Sequence, residues 1–325
     1  MDRAPIHVFI SKVDKNKYLS LTPESLLDKD GKWFVELFYK HISSLLSRDI
    51  RGENVLVKPN LLKAKAPECV TSGLAIVAAV ISLREVGARV TVGDSPAFGH
   101  ARQVVGSLGI GPILKRLGVE TISLDSPVKV SLPCGAKIAV SKHALDRDVI
   151  VNLPRLKAHC QTGMTGAVKN LYGTVPGFRK GLYHVKYGKE LSLFSRMIIE
   201  IGQLLPETIS VLDAINCMHE TGPTVGKPIF LGVVASSTST HALDTAMYHA
   251  IGAEPDMVPI WKEARKLGLK GTSINELTFP WLEPKDITEA KKFKIPRKLD
   301  PVAFNPVRFL LGRVKSVARR IGIMS

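Results

Sequence analysis

Residues 149–177, VIVNLPRLKAHCQTGMTGAVKNLYGTVPG, constrain the fold more than any other stretch of the chain. VIVNL reads as a buried strand, and Pro154 stops regular pairing because proline offers no N–H to a ladder. Arg155, Lys157 and His159 follow at every second position, which in extended chain puts all three side chains on one face. Thr162, Gly163, Thr165 and Gly166 then lead into a short apolar run that carries Lys169 and Asn170. Glycines and hydroxyls just before a helical run leave backbone N–H groups free to face an anion. A solvated charge run would not need this density of glycine and threonine. The stretch is therefore expected to bind an anion, with Arg155, Lys157, Thr162, Thr165 and Asn170 as contacts.

The same stretch resembles the hallmark segment of the DUF362 family, whose usual form reads like NLPKLKTHGLTGVTGAVKNLFG. Three further segments carry the resemblance: VLVKPNLL at 55–62, VGDSPAFG at 92–99 and DAINCMHETGPTVG at 213–226. It runs from about Val55 to about Gly271. The resemblance implies an α/β fold and a family without an established general chemistry, often joined to a ferredoxin-like iron–sulfur module. A fainter, local likeness links the hallmark segment to the nickel-pincer lactate racemase family. There too a strand ends in a basic-plus-histidine segment and a glycine-rich turn leads into a lysine.

Buried strands at 54–58, 89–93, 149–153, 208–212 and 228–236 alternate with helical periodicity at 32–47, 73–86, 191–205 and 241–251. This alternation predicts an α/β protein with a mostly parallel, Rossmann-like sheet, helices on both faces and a second α/β lobe after the hallmark stretch. Residues 128–140 alternate like an antiparallel hairpin around Pro133-Cys134-Gly135, and 178–189 read as a basic loop, either a lid or exposed charge. His41 lies near an apolar stripe and reads as a packed or rim histidine.

In open α/β sheets, ligands bind at the carboxyl ends of the strands. Lys58 and Asn60 fall there, and are expected to bind substrate rather than snorkel to solvent. Asp94, Asp213 and Glu220 each fall at a strand end or the turn after one. Asp94 reads as a base, a metal ligand or a cap. Lys169, His159, Asp94 and Glu220 are the candidate catalytic groups. In one arrangement lysines hold an anionic carboxylate or phosphate substrate while a carboxylate or His159 moves a proton. In another, Asp213 and Glu220 hold a divalent ion bridging to it. In a third, Lys169 is a nucleophile whose pKa neighbouring cations depress. These readings point to an enzyme of proton-transfer, isomerase or redox type. The competing class is a non-catalytic iron–sulfur or cofactor carrier, or a basic protein recruited to membrane or nucleic acid. Walker, dinucleotide and zincin motifs are absent.

A formal charge of +16 favours anionic partners. Cys69, Cys134, Cys160 and Cys217 are scattered without C-x-x-C spacing, so neither a disulfide framework nor a ferredoxin-type cluster is expected. MDRAPIHVFISK lacks the apolar core of a signal peptide, which predicts a cytoplasmic location. Residues 1–284 read as the family-like α/β domain and 285–325 as a basic tail. The tail holds eleven Lys or Arg against three Asp or Glu, half the net charge of the chain. Its last part, PVRFLLGRVKSVARRIGIMS, reads as a basic amphipathic helix. Such a helix suits an anionic membrane or nucleic acid, or packs its apolar side on its own protein or a sister subunit in a homo-oligomer.

Overall fold

A computed structural model of the chain describes residues 5–300, apart from 66 and 98. Nine strands form one sheet: β1 (Phe9–Lys12), β2 (Asn54–Pro59), β3 (Arg89–Asp94), β4 (Glu120–Ser123), β5 (Val149–Leu153), β6 (Arg155–His159), β7 (Gly163–Thr165), β8 (Glu207–His219) and β9 (Lys227–Ser237). The order is β7-β6-β8-β5-β2-β3-β4, with β9 on the other side of β8 and β1 beyond β9. Pairings β2–β3, β3–β4, β2–β5, β5–β8 and β6–β8 are parallel; β6–β7, β8–β9 and β9–β1 are antiparallel. The expected parallel set, 54–58 with 89–93 and 149–153, is thus present. The basic amphipathic helix expected in the tail lies outside the described residues.

Proline explains how β8 meets two partners. Pro154 separates β5 from β6 but the chain keeps its direction, so β8 pairs with β5 through Glu207–Ser210 and with β6 at Asp213 and Met218. The Pro154 carbonyl still accepts from Asp213 N–H at 2.9 Å.

Alternation along the strands sorts side chains between layers. Val55 and Val57 of β2 and Val149 and Val151 of β5 pack with Phe34, Phe38, Ile76 and Val80 of helices Lys32–Ser43 and Gly73–Glu85. Leu56 and Ile150 face the other way, and on that face Lys58 and Asn152 are register partners at the strand ends. Burying a Leu or Ile side chain is worth about 1.5–3 kcal/mol, so this apolar pattern holds the polar ends in place.

After the hallmark stretch the chain builds a second core on the same sheet, with Leu156, Met164, Leu212, Leu243, Met247 and Trp261. Ile287, Ala290 and Phe293 are buried in it, and Asp300 N–H donates to the Cys160 carbonyl at 2.8 Å. Residues 285–300 therefore belong to the folded body, so a tail separate from it begins no earlier than 301. The 128–140 hairpin is present as Pro127–Ser131 paired with Lys137–Ser141. His41 is packed: its ring nitrogens meet Ser236 Oγ at 2.7 Å and Ser11 Oγ at 3.1 Å.

Candidate functional site

The chain leaves β2 in opposite directions: β3 and β4 extend one way, β5 and β8 the other. Such a reversal opens a crevice at the carboxyl ends of the central strands. Here it holds a cavity of about 320 Å³. Asn60 and Asp94 line it from the ends of β2 and β3, Lys157, His159 and Thr165 from β6 and β7, and Lys169 and Asn170 from the short helix Ala167–Asn170. Tyr172, Lys180 and His184 close it from the far side.

Lys157 and His159 reach the cavity because Leu156 and Ala158 alternate with them into the second core. Thr165 is the register partner of Lys157, and its buried hydroxyl finds no hydrogen-bond partner among the described residues. An unsatisfied buried hydroxyl costs about 1–3 kcal/mol, which a ligand or water in the cavity relieves.

Cations outnumber carboxylates in this space. Lys58, fully buried behind the cavity wall, donates to Asp94 Oδ1 at 2.8 Å; the other Asp94 oxygen accepts from Leu61 N–H at 2.7 Å. Lys157 Nζ donates to the Cys69 carbonyl at 2.6 Å. Lys169 and Lys180 are half-buried. Among the described residues, none of Lys157, Lys169 and Lys180 forms an ion pair with a carboxylate. Burial pushes Lys157 down to about 8. Burial, and then Lys157, lowers Lys169 to about 7. Burial lowers Lys180 to about 8 against the pull of Asp94. His159 is held well below its ordinary value by burial and then by Lys169, so it is neutral at pH 7. Its Nδ1 accepts from Gln161 N–H at 3.1 Å, which assigns the ring proton to Nε2 and makes the imidazole a donor.

Several expected site residues serve the fold instead. Arg155 shares the face of Lys157, but it lies opposite Asp213 in register and is spent on that buried carboxylate at 2.6 Å. Asp213 also accepts from Ser72 N–H at 2.9 Å and Ile215 N–H at 3.2 Å, so both of its oxygens are engaged within the fold. Glu220 does not line the cavity; it sits between Lys227 at 2.9 Å and Lys294 at 3.5 Å. Thr162 turns its hydroxyl to the Met164 carbonyl at 3.1 Å. Lys58 is a buried ion-pair partner rather than a lining group. Asn170 touches the cavity, but its amide donates to Asn152 Oδ1 at 2.8 Å and the Lys58 carbonyl at 3.1 Å, anchoring the short helix to β5 and β2.

The glycine-rich turn also has an internal occupant. Ala167 N–H and Val168 N–H donate to the two Asp244 carboxylate oxygens at 2.5 and 3.0 Å. A Cβ on Gly166 would strike that carboxylate, which accounts for the glycine. The anion these N–H groups face is the protein's own, not a ligand.

Gln161 and Tyr172 carry no expectation from the sequence, whereas Lys180 and His184 fall in the basic segment 178–189, which reads as a loop, either a lid over the anion site or exposed charge. The structure forms helix Arg179–Tyr187 there. Lys180 and His184 stand four residues apart on its inner side. That spacing was the available signal.

Among the described residues no group of three or more His, Cys, Asp or Glu is placed to hold a metal ion. Among the described residues the donor set therefore does not fit an iron–sulfur group, which needs several converging cysteines.

Comparison with known proteins agrees with the motif reading. The family model described as a domain of unknown function (DUF362) matches residues 55–249. The chain belongs to the DUF362 family. Among curated relatives of this DUF362 chain, thylakoid-associated protein sll1697 of Synechocystis is 35% identical over 267 residues, covering 81% of this chain and 83% of that one. Two solved structures also match at 13% identity. A Thermotoga maritima protein has a TM-score of 0.41 over 68% of this chain and 56% of its own. The lactate racemase apoprotein of Thermoanaerobacterium thermosaccharolyticum has 0.44 over 63% and 52%. The chain thus spans about half the length of either structure. No helix among the described residues is long and apolar enough to cross a membrane.

Proposed function

We propose that this protein is an enzyme that binds a small anionic substrate, a carboxylate or phosphate, in the cavity at the ends of β2, β3 and β6 and moves a proton there. One observation carries the reading. Lys157, Lys169 and Lys180 converge on a cavity in which Asp94, already spent on Lys58, is the one lining carboxylate among the described residues. Buried cations without counter-charge cost stability, and an anion relieves that cost. Thr165 Oγ1 and the His159 Nε2–H add neutral hydrogen-bonding groups. Lys169, lowered to about 7, is the group able to take or give a proton at neutral pH.

The test is thermal unfolding with sulfate, phosphate and small carboxylates against sodium chloride at matched ionic strength. Ligand at a hundred times its Kd stabilises by about 2.7 kcal/mol. Lys157→Met and Lys169→Met are expected to lose that stabilisation; undiminished stabilisation in both would remove the site.

For location we propose an aqueous compartment such as the cytoplasm. Attachment to anionic lipid through the basic residues after Asp300 would parallel the relative named for its association with thylakoids.

A further inference from the structure

We propose that Lys169 forms an imine with its substrate, and that the substrate is a small carbonyl compound carrying a carboxylate or phosphate, such as a 2-oxo acid or a phosphorylated aldehyde. The inference rests on the anion-binding reading and goes one step further.

The cavity lysines divide by their partners. Lys58 is neutralised by Asp94, and Lys157 Nζ gives one of its three hydrogens to the neutral Cys69 carbonyl, which leaves its charge unpaired. Lys169 has neither a carboxylate nor a hydrogen-bond acceptor on its Nζ among the described residues; its Nζ stands over the Tyr172 ring, 5.7 Å from the centroid. Burial and then the field of Lys157 favour its neutral form, Cys160 acts the other way, and Lys180 adds to the first two. A half-buried ammonium that shares a cavity with two other cations gives up its proton readily, and a neutral amine is a nucleophile. The ammoniums of Lys157 and Lys180 then remain for the anionic group. His159 presents a neutral N–H donor to the same space, suited to polarising a carbonyl oxygen.

The step balances within this cavity. The Lys169 nitrogen lone pair forms a bond to the carbonyl carbon, and the C=O π pair moves to oxygen, which takes a proton from the attacking nitrogen. The resulting carbinolamine hydroxyl leaves as water with a proton from a neighbouring ammonium, Lys157 or Lys180. The nitrogen lone pair closes the C=N bond, giving the protonated imine. The carbon beside that imine is acidified, which joins imine formation to proton transfer.

The full chain is incubated separately with pyruvate, glyoxylate and glyceraldehyde 3-phosphate, reduced with sodium borohydride and mapped by peptide mass spectrometry. With at least one probe, Lys169 is expected to carry the reduced adduct at least tenfold above surface lysines such as Lys186, and excess sulfate should suppress it. Lys169→Arg, which keeps the cation, should lose the adduct but keep the thermal shift with sulfate. A sulfate shift without preferential Lys169 labelling by any probe overturns the imine and leaves anion binding standing. Absence of both overturns both.

Discussion

Replacing Lys169 with methionine isolates the energetic consequence of the cationic cavity. The lysine titrates at about 7 in the fold and at its ordinary 10.5 when exposed. A base with a depressed folded pKa binds fewer protons folded than unfolded between those values, so its contribution to stability rises with pH across 7 to 10.5. Relative to a neutral side chain, such a lysine costs about 4 kcal/mol at pH 7, and almost nothing by pH 10.5. This is an upper bound, because Nζ borders the water of the cavity. Among the described residues no hydrogen bond is lost with the amine, and methionine has similar length. Lys169→Met is therefore expected to raise Tm at pH 7 by several degrees, on the order of 2 °C per kcal/mol for a chain of this size. The gain should shrink steadily to near zero at pH 10.5, while stabilisation by sulfate disappears. Scanning calorimetry at half-unit pH steps reads both effects. A variant less stable than the parent at pH 7, or a gain independent of pH, would refute the reasoning.

Other perturbations test the framework around the cavity. Asp94→Asn leaves Lys58 buried without its counter-charge and should cost about 3–5 kcal/mol in urea unfolding; adding Lys58→Met should recover most of it, and failure to recover would mean that Asp94 acts chiefly through Leu61. Gly173→Ala puts a methyl against both Lys58 Nζ and Asp94 Oδ1, so about 1–3 kcal/mol should be lost, whereas unchanged stability would contradict that packing. A chain ending at Asp300 should stay folded and lose salt-sensitive attachment to anionic vesicles. One ending at Pro284 should unfold several degrees earlier, because Ile287, Ala290 and Phe293 leave the second core; equal Tm values would contradict this.

The sheet was legible because its evidence is local. Apolar runs, strand-end motifs and the two-residue period along Arg155, Lys157 and His159 each reside in one segment. The fates of those side chains were not local. Arg155 and Lys157 share a face and a charge, yet Asp213 stands opposite one and a backbone carbonyl opposite the other. Nothing within 149–177 announces that Asp244, on a helix far along the chain, caps the glycine-rich turn. Helix Arg179–Tyr187 was hidden because Phe178 supplies no side-chain cap and Gly181 interrupts the run, while Lys180 and His184 gave the helical spacing. Glu220 had the right place after a strand but took its partners, Lys227 and Lys294, from the surface.

The most direct test of the cationic cavity is isothermal titration calorimetry with sulfate, which does not titrate near neutrality, in two buffers of different ionisation enthalpy at pH 7.5. Before an anion binds, Lys169, Lys157 and Lys180, titrating at about 7, 8 and 8, are partly deprotonated there, and an anion seated among them draws them back to the charged form. Binding is expected with uptake of about one proton per sulfate, weakening as pH rises past 8. No binding heat, or binding with no proton uptake, would contradict the assignment of Lys157, Lys169 and Lys180 to an anion site.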